Sequence, residues 1–453
     1  MPRATVHQLR DDALSNTSYL VGLAGGVAVA VDPPRDVGAH LELADRLGVT
    51  VVATLDTHLH ADYVTGGPEL AATSGAEVVL PREAAVDYAH RGVGDGERLA
   101  WGDVTLRALA TPGHTADHLA YVLNVADQPV AVFSGGSLIV GGAARTDLLG
   151  DDHTQEMARA QFRSLRRLAA LPDATALYPT HGAGSFCLAA STTVSDPTIG
   201  TERRTNPLLQ LDDEDAFVRA LVSGFGTYPT YYRHLPEVNR RGAARLAELA
   251  EPAALSPRDA SALVKAGAWL VDARPIQEWA AAHPRDAVSI ELRPAFASWL
   301  GWVVPFGAAV VLVVEEARVA EALSLARSIG YDAVVGWLAG GTAAWQADGL
   351  PVDTVEEIDA EDAYRRARAG GASLLDVRQD AELESLRIPG AVHAELGDVI
   401  AGRIPDVRAA VTFCGHGERS ATAASLLERR GIRVANLAGG IGAWEAAGLP
   451  VER

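Results

Sequence analysis

Cysteine is scarce in this sequence, since only Cys187 and Cys414 occur among 453 residues. Two cysteines are too few for a disulfide framework, but they are compatible with one reactive thiol in a reducing compartment. The longest apolar run, residues 302–314, contains Pro305 and falls short of the ~20 residues that a spanning helix needs. No apolar secretion signal follows Met1. We therefore expect a cytoplasmic protein with no membrane partner.

Positive charge is also in deficit. Lysine and arginine total 39 residues against 58 aspartates and glutamates, which leaves a formal net charge of −19. Such a chain repels phosphate backbones, and no cluster of basic residues with interleaved aromatic side chains offsets the repulsion locally. We therefore expect no nucleic-acid partner, whereas a homo-oligomer is compatible with the sequence.

The length and the apolar content indicate several globular domains. A single core for 453 residues would be unusually large, and 48% hydrophobic residues are enough for several cores. In residues 1–250, short apolar runs alternate with a helical pattern, which predicts an α/β domain. The predicted strands are residues 17–23, 27–31 and 51–55, and the predicted helix is residues 36–47. Prolines and small residues at 251–257 predict a linker.

The C-terminal part contains an internal repeat. Residues 270–274 return as residues 374–378, and residues 338–345 return as residues 437–444. A period of about a hundred residues indicates a duplicated domain, because solenoid units run to roughly 20 to 50 residues. We predict two parallel α/β domains, at residues 255–353 and 354–453. Their clearest predicted strands are residues 310–314 and 410–413, and their clearest helices are residues 319–328 and 420–430.

Cys414 begins a glycine-rich segment, residues 414–420 with the sequence Cys-Gly-His-Gly-Glu-Arg-Ser, between a predicted strand and a predicted helix. At such a turn, successive backbone N–H groups converge on the sulfur and the helix N-terminus adds partial positive charge. Both effects favour a thiolate, and the same loop would hold the terminal anion of a persulfide. We expect Arg419 to complete the loop through a charge-assisted hydrogen bond.

This segment resembles the active-site loop of the rhodanese sulfurtransferases, Cys-x-x-Gly-x-Arg-Ser. A protein-tyrosine-phosphatase loop has five residues between cysteine and arginine, whereas four occur here. The resemblance implies that Cys414 and Arg419 are catalytic and that Cys414 carries the transferred sulfur. The other residues that it assigns to the loop are Gly415, His416, Gly417, Glu418 and Ser420. Since His416 and Glu418 leave this loop nearly neutral, the expected donor is a persulfide.

The middle copy, residues 255–353, contains neither cysteine. After its predicted strand come Glu315 and Glu316, which would repel a persulfide, and no glycine is there to shape an anion-binding turn. We therefore expect an inactive rhodanese-like domain with a structural or docking role.

Three histidine-bearing loops follow predicted strands in residues 1–250. They are residues 57–63 (Thr-His-Leu-His-Ala-Asp-Tyr), residues 111–115 (Thr-Pro-Gly-His-Thr) and residues 179–185 (Pro-Thr-His-Gly-Ala-Gly-Ser). Imidazole and carboxylate ligands at strand ends suit zinc or iron. The pattern resembles the metallo-β-lactamase superfamily and, within it, the persulfide dioxygenases.

This resemblance implies an αββα sandwich followed by two rhodanese-type parallel α/β domains, the architecture of bacterial persulfide dioxygenase–rhodanese fusions. It implies Fe(II), with zinc as the alternative, held by two histidines that match His58 and His114 and by an aspartate. The substrates that it implies are a low-molecular-weight thiol persulfide, O₂, and sulfite or thiosulfate. The thiol carrier and the direction of sulfur transfer stay open.

Two positions depart from this family. Tyr63 stands where the superfamily motif has its last histidine, and Gly136 stands where the metal-binding aspartate belongs. Because that aspartate bridges the two metals of the dinuclear hydrolases, a hydrolase is disfavoured. Replacing Gly136 with aspartate is expected to raise iron affinity if the other ligands are in place.

Three outcomes remain for the metal site. In the first, three histidines form the metal-binding face, namely His58, His60 and His114. In the second, Asp62 or His181 replaces the lost ligand. In the third, no metal binds and the domain is a scaffold. The loss of one ligand lowers affinity without abolishing it when three histidines remain, so we expect a metal.

Other conspicuous residues have structural interpretations. We expect His118 to be a hydrogen-bonding loop residue and Cys187 to be a small buried residue, since it has no adjacent arginine. Asp272 and Asp376 are expected to tie loops within the two copies.

The sequence supports three functional hypotheses. The first is a two-centre enzyme that oxidises a thiol persulfide at the metal and transfers sulfur at Cys414. The second is a sulfurtransferase alone, whose N-terminal domain is a degenerate scaffold. The third is a metal-dependent thioester hydrolase of glyoxalase type.

Overall fold

The structure of the protein is a computed structural model that describes residues 4–182, 184–187 and 196–453. Ala183, in the third histidine-bearing loop, lies outside the described residues. Contacts divide the chain into two units, Met1–Leu249 with Arg327–Gly330 and Ala250–Ala326 with Tyr331–Arg453. Within the described ranges, no helix combines the length and the hydrophobicity that crossing a membrane requires.

Two β-sheets form the first unit. One consists, in spatial order, of β1 (Ala4–Asp11), β2 (Asn16–Leu23), β3 (Val27–Val31), β4 (Thr50–Leu55), β5 (Glu77–Pro81) and β6 (Arg91–Val93). The strands of the other are β7 (Arg98–Trp101), β8 (Val104–Ala110), β9 (Leu119–Val125), β10 (Gln128–Gly135) and β13 (Ala176–Pro179), and β11 (Leu138–Ile139) and β12 (Gly142–Ala143) form a separate ribbon. In the first sheet, the pairs β3–β4, β4–β5 and β5–β6 are parallel, and in the second sheet the pair β10–β13 is parallel. The other neighbouring strands are antiparallel.

Helices cover the outer faces of the two sheets. They are α1 (Gly38–Leu47), α2 (Gly67–Ser74), α3 (Asp151–Ala169), α4 (Ile199–Thr205), α5 (Glu214–Val222) and α6 (Leu235–Arg241). Alternation along β2 explains the layers, because Tyr19 and Val21 face the opposite sheet while Leu20 packs with Ala44 of α1 and Leu70 of α2. A third cluster joins the outer face of the second sheet to α3 and α5. The predicted αββα sandwich is confirmed.

The helix predicted at residues 36–47 begins two residues later, at Gly38. Asp36 remains outside the helix, where its Oδ1 accepts a hydrogen bond of 2.9 Å from the Gly38 N–H. A short acidic side chain that bonds to a nearby backbone N–H competes with helix formation, which accounts for the difference.

His40 in α1 makes the stability of the first unit pH-dependent. Its side chain is 1% exposed, and neither ring nitrogen has a hydrogen-bond partner among the described residues. Burial lowers the pKa of His40 to about 4, against the partial opposition of Asp36. Between pH 6.5 and 4 the unfolded chain therefore binds the proton and the folded chain does not, so stability falls as the pH falls. From pH 7 to pH 5 we expect this residue to remove about 2 kcal/mol of the free energy of unfolding.

Denaturant unfolding of His40→Leu at pH 7 and pH 5 measures this contribution. We expect the variant to lose about 2 kcal/mol less than wild type over that interval. His153→Leu is the control, because its side chain in α3 is 59% exposed. Equal pH dependence of His40→Leu and wild type would contradict the assignment.

The second unit repeats one sheet topology. The first copy has β14 (Ala253–Leu255), β15 (Trp269–Asp272), β17 (Val288–Ser289), β18 (Val310–Val313) and β19 (Val334–Leu338) in the order β14-β19-β18-β15-β17, while β16 (His283–Pro284) pairs with β20 (Val352–Asp353). The second copy has β21 (Glu356–Ile358), β22 (Ser373–Asp376), β23 (Val392–His393), β24 (Ala409–Phe413) and β25 (Arg433–Leu437) in the order β21-β25-β24-β22-β23. All pairs within both five-stranded sheets are parallel, as predicted.

The helices of this unit also correspond between the copies. The first copy has α7 (Pro257–Lys265), α8 (Ile276–Ala281), α9 (Phe296–Val303), α10 (Val319–Ser328) and α11 (Gly341–Ala347). The second copy has α12 (Ala360–Arg368), α13 (Asp380–Leu383), α14 (Leu396–Ile400), α15 (Glu418–Glu428) and α16 (Gly440–Ala446). The helix predicted at residues 420–430 is α15, which begins two residues earlier and ends two residues earlier than predicted. It begins directly after Gly417, whose φ is +123°.

The first copy supports α15 of the second. The Thr422 hydroxyl donates to the Ser289 carbonyl at 2.7 Å, and the Ser289 N–H donates to the Ser425 hydroxyl at 3.1 Å. The His283 ring, which is fully buried, lies 2.9 Å from the Glu428 carboxylate. These contacts hold the helix that follows Cys414, so the cysteine-free copy has a structural role in the second unit.

Candidate functional site

Loops that follow three strands bring four histidines together in the first unit. His58 and His60 follow β4, His114 follows β8 and His181 follows β13, and each is at most 1% exposed. The ring centroids of His58 and His60 lie 4.2 Å apart, those of His58 and His114 4.9 Å apart, and those of His114 and His181 5.2 Å apart. The three predicted loops therefore converge on one buried cluster.

Asp32, at the end of β3, connects two of these loops. Its carboxylate accepts hydrogen bonds from the Thr57 N–H at 2.7 Å, from the Thr57 hydroxyl at 2.9 Å and from the Thr180 hydroxyl. Burial by itself raises the pKa of Asp32, but His60 and these donors outweigh burial and hold it below its usual value. Asp32 is therefore an anion that positions the residues preceding His58 and His181.

The hydrogen bonds determine which nitrogen each ring presents to the cluster. Because the Thr57 hydroxyl donates to Asp32, it accepts from Nδ1–H of His58 at 2.8 Å. The Tyr63 hydroxyl donates to the Asp32 carbonyl and therefore accepts from Nε2–H of His60 at 2.9 Å. His58 then has its lone pair on Nε2. Burial by itself lowers the pKa of His60, but Asp32 and the neighbouring carboxylates outweigh burial and raise it, so His60 has a lone pair on Nδ1 in its neutral form.

The same logic applies to the other two rings. Nδ1–H of His114 donates to the Arg145 carbonyl at 2.8 Å, and Nδ1–H of His181 donates to the Asn16 amide oxygen at 3.0 Å. Both rings thus present a lone pair on Nε2. Burial holds the pKa of His58 and of His114 well below the usual value, so both rings are neutral.

These lone pairs fit a metal ion. Among the described residues, the four nitrogens have no hydrogen-bond partner: Nε2 of His58, Nδ1 of His60, Nε2 of His114 and Nε2 of His181. Oδ1 of Asp62 is unpartnered in the same sense, while its Oδ2 accepts from the Asn16 amide at 2.7 Å. Buried polar atoms normally have partners, and neutral imidazoles oriented by hydrogen bonds at the other nitrogen are typical metal ligands.

Among the described residues, three sets of possible metal donors have all their donor atoms within 4.8 Å of one another. One is Asp32, Asp56 and His60, and the other two share His181. These two sets are His58, His60 and His181, and His114, His181 and Cys187. The predicted trio of His58, His60 and His114 is therefore divided between the two sets. His181 belongs to both, whereas Asp62 belongs to neither and instead lies 3.4 Å from Nδ1 of His181.

Gly136 lies against the His114 ring. A Cβ atom placed on Gly136 would be 2.3 Å from Cδ2 and 3.0 Å from Nε2 of His114. The ring therefore occupies the space that any side chain at position 136 needs. This contact contradicts the expectation that aspartate at position 136 would simply restore a carboxylate ligand, because the new side chain would displace His114.

Gly136→Asp is expected to lower, rather than raise, the metal affinity of the first unit and to destabilise it by about 1 to 3 kcal/mol through overpacking. Metal analysis after equilibrium dialysis and denaturant unfolding measure both effects. Gly136→Ala is the matched variant, because it adds the Cβ atom without the carboxylate. Tighter metal binding by Gly136→Asp than by wild type would contradict this prediction.

His118 lies beside the cluster but has no free ring nitrogen. Its Nε2 accepts from the Gly136 N–H at 3.0 Å, and its Nδ1 lies 2.8 Å from the Thr111 hydroxyl. Burial lowers the pKa of His118 to about 3. These contacts agree with the interpretation of His118 as a hydrogen-bonding loop residue.

Two residues of the cluster, Asp32 and Cys187, were not predicted to belong to it. Asp32 directly follows β3, beside the strand that leads to His58, and acidic residues at neighbouring strand ends are a usable signal. Cys187 follows His181 by six positions, and no motif marked its sulfur as part of the cluster.

The second candidate site is the loop between β24 and α15. Cys414 is fully buried, and its Sγ accepts a hydrogen bond of 3.1 Å from the Gly417 N–H. The Ser420 hydroxyl donates to the Gly417 carbonyl at 2.9 Å, which holds the turn at the start of the helix. Backbone N–H groups of α16 reach the same loop, since Ile441 donates to the Cys414 carbonyl at 2.8 Å.

Arg419 lies beside the Cys414 sulfur and also forms an ion pair with Glu382. Its guanidinium makes a bidentate contact with the Glu382 carboxylate, at 2.5 and 2.9 Å. Burial lowers the pKa of Arg419, but its contacts with Glu382 and Cys414 outweigh burial and hold it above the usual value. Gly415 packs beside this guanidinium, and the loop edges are an exposed His416 and a half-buried Glu418.

Asp272 and Asp376 occupy equivalent positions in the two copies. Oδ2 of Asp272 accepts from Arg274 at 2.6 Å, and Oδ2 of Asp376 accepts from Arg378 at 2.6 Å. Arg378 also donates to the Leu386 carbonyl. Both aspartates therefore hold loops, which agrees with their expected role.

Comparison with known proteins identifies both parts of the chain. The rhodanese-like domain family matches residues 256–348 and 359–447. A hydroxyacylglutathione hydrolase from Methylobacterium sp. is 31% identical over 232 residues, 46% of this chain and 86% of the relative. The human mitochondrial persulfide dioxygenase ETHE1 is 31% identical over 224 residues, 48% of this chain and 80% of the relative.

A solved structure covers more of the chain. The crystal structure of a metallo-β-lactamase from Staphylococcus aureus subsp. aureus COL aligns with 74% of this chain and 99% of its own, with a TM-score of 0.67 and 25% sequence identity. The persulfide dioxygenase and metallo-β-lactamase homologues are metal-dependent, and the histidine cluster is a candidate metal-binding group in the first unit. The chain therefore belongs to the metallo-β-lactamase-fold family related to persulfide dioxygenase, with rhodanese-like domains in its C-terminal part, and its family-level role is in sulfur metabolism.

Proposed function

We propose that this protein transfers sulfane sulfur through Cys414. The observation that carries the proposal is the hydrogen bond of 3.1 Å from the Gly417 N–H to Cys414 Sγ at the N-terminus of α15. In the first step, the Cys414 thiolate attacks the outer sulfur of a thiol persulfide. A sulfur–sulfur bond forms at Cys414, the sulfur–sulfur bond of the donor breaks, and the donor leaves as a thiolate.

In the second step, sulfite attacks the terminal sulfur of the Cys414 persulfide. The new bond yields thiosulfate and the Cys414 thiolate leaves, so no oxidant is consumed; the reverse reaction would use thiosulfate as donor. The Gly417 N–H and the positive end of α15 stabilise the sulfur anion in both steps. Because the Glu382 carboxylate neutralises the Arg419 guanidinium, the loop has little positive charge to bind a dianion such as thiosulfate. A persulfide monoanion is therefore favoured as donor.

We also infer that the first unit processes the same persulfide in a metal-dependent step. The nitrogens that hold the ion would come from among His58, His60, His114 and His181, and their unpartnered lone pairs support this inference. Fe(II), when bound there, would supply the O₂ chemistry that oxidises a persulfide to sulfite. The protein's own contribution is a buried site whose rings Asp32, Tyr63 and Asn16 orient.

Thioester hydrolysis is the second candidate, and the 31% identity to a hydroxyacylglutathione hydrolase favours it. Gly136 and Tyr63 count against it, because a dinuclear hydrolase needs a carboxylate and an imidazole at these positions. The Tyr63 ring is 2% exposed and its hydroxyl is committed to Asp32 and His60.

Three assays on the full-length protein separate these activities: metal content after purification without added metal, O₂ uptake with glutathione persulfide, and hydrolysis of a glutathione thioester. Near-stoichiometric iron with persulfide-dependent O₂ uptake is the expected result. Sulfur transfer without metal and without O₂ uptake would reduce the protein to a sulfurtransferase, and thioester cleavage without O₂ uptake would make the first unit a hydrolase.

A further inference from the structure

Cys187 is a possible metal donor that the proposed function does not use. Its sulfur and one ring nitrogen each of His114 and His181 lie within 4.8 Å of one another, and all three side chains are at most 1% exposed. Nε2 of both histidines is unpartnered among the described residues. Three buried donors therefore face one another. The unpartnered atoms of this set are the two histidine nitrogens, because the Cys187 thiol has hydrogen-bond partners in Ser185 and Tyr232.

The backbone of Arg145 holds two of these donors. Its carbonyl accepts from Nδ1–H of His114 at 2.8 Å, and its N–H donates to the Cys187 carbonyl at 2.8 Å. Arg145 is itself fixed, because its guanidinium contacts Asp147 at 2.7 Å and lies 4.2 Å from the Tyr228 ring centre. The ring of His114 and the chain at Cys187 are thus positioned by one rigid residue.

The third donor is fixed independently. Nδ1–H of His181 donates to the Asn16 amide oxygen at 3.0 Å, and the Asn16 amide group donates to Asp62 at 2.7 Å. This chain of hydrogen bonds orients Nε2 of His181 toward the cluster, the arrangement that holds metal-ligating imidazoles in place.

We propose that His114, His181 and Cys187 form a binding site for a divalent transition-metal ion, Zn²⁺ or Fe²⁺. The thiolate supplies the anionic donor that Gly136 lacks, and a His₂Cys set leaves a position open for water or substrate. Binding forms one metal–sulfur bond and releases the thiol proton to solvent. The site is independent of sulfur transfer at Cys414.

The His58, His60 and His181 set competes for the same ion. His181 has one free nitrogen, so it serves one ion at a time. The set with Cys187 is favoured because its thiolate would bond directly to the metal, whereas Asp32 acts on the other set only through the His60 ring, 3.2 Å away.

Cobalt(II) is the probe, because a cobalt–thiolate bond adds a near-ultraviolet charge-transfer absorption to the ligand-field bands. The chain has two cysteines, so Cys414→Ala leaves Cys187 as the single thiol. We expect metal-free Cys414→Ala to bind one Co²⁺ with the charge-transfer band. Cys187→Ala should lose that band and bind Co²⁺ at least about 100-fold more weakly, since even outer-shell losses cost 10- to 100-fold.

If Cys187→Ala fails to fold, Cys187→Ser replaces it in the Co²⁺ titration, because serine has nearly the side-chain volume of cysteine. Phe133→Leu, in the core between the sheets, is the control for general destabilisation and should keep the band. Stoichiometric Co²⁺ binding by Cys414→Ala without the charge-transfer band would overturn the proposal, as would unchanged Co²⁺ affinity in Cys187→Ala or no Co²⁺ binding by the folded protein. Because the readout is metal coordination, none of these results bears on transfer at Cys414.

Discussion

Cys414→Ser is expected to reduce sulfur transfer from glutathione persulfide to cyanide or sulfite by at least about 1,000-fold, because the hydroxyl is a far weaker nucleophile and cannot carry the sulfane sulfur. The serine oxygen can still accept the Gly417 N–H, which bonds to Sγ at 3.1 Å in the native loop, so the fold should be preserved. Steady-state kinetics and mass detection of a +32 Da persulfide adduct on Cys414, the mass of one sulfur atom, measure the effect.

The two centres lie in separate units, which supplies the control. Any persulfide-dependent O₂ uptake by the first unit should be the same in Cys414→Ser and wild type. Transfer that persists at the wild-type rate would exclude Cys414 as nucleophile. Loss of transfer together with a lowered unfolding midpoint would require the comparison to be repeated with Cys414→Ala.

Gly440→Ala is expected to reduce transfer by about 100-fold, the effect of misplacing reacting groups by about 1 Å. Gly440 begins α16 with a φ of +58°, and a Cβ atom there would lie 2.3 Å from the Cys414 carbonyl oxygen and 2.8 Å from the Gly415 carbonyl carbon. Backbone atoms cannot yield as a flexible side chain can, so the alanine should push the Cys414 loop away from α16.

The duplication provides a matched control at Gly341. This residue occupies the equivalent position in the first copy, has the same φ of +58°, and has no described heavy atom within 4 Å of a Cβ placed on it. Both substitutions place an alanine in the left-handed backbone region, which lowers the free energy of unfolding by about 1 to 2 kcal/mol. We expect Gly341→Ala to be destabilised to this extent with unchanged transfer kinetics. Equal kinetic losses in the two variants would mean that strain, and not displacement of the loop, is responsible.

The cysteine-free copy contacts the helix that follows Cys414 in the other copy. Ser289 hydrogen-bonds to Thr422 and Ser425 on α15, and Trp279 and Ala280 pack with Ala421 and Ala424 of the same helix. The helix whose N-terminus faces Cys414 is therefore buried against the first copy. A copy without cysteine thus stabilises the helix that follows Cys414 in its neighbour.

Much of this protein is encoded locally. Short apolar and β-branched runs predicted β2, β3, β4, β18 and β24 to within one residue at each end, because such runs are read from neighbouring positions. The repeat predicted two sheets of one topology, and the turn chemistry around Cys414 predicted a cysteine between a strand and a helix. Histidine-bearing loops after strands predicted one cluster, since strand ends meet at a common edge.

The composition of the metal site depended on contacts that no local pattern contains. Asp32 and Thr180 bond across 148 positions, and Cys187 meets His114 only because separate strands bring their loops together. Gly136 was recognisable as a missing carboxylate, but only the packed structure places the His114 ring in the space of the absent side chain. The sequence by itself determined the fold class of both parts and predicted a nucleophile at Cys414, because these follow from short motifs and periodicity. Which donors face one another was decided by tertiary structure, because it depends on the orientation of side chains from strands far apart in the chain.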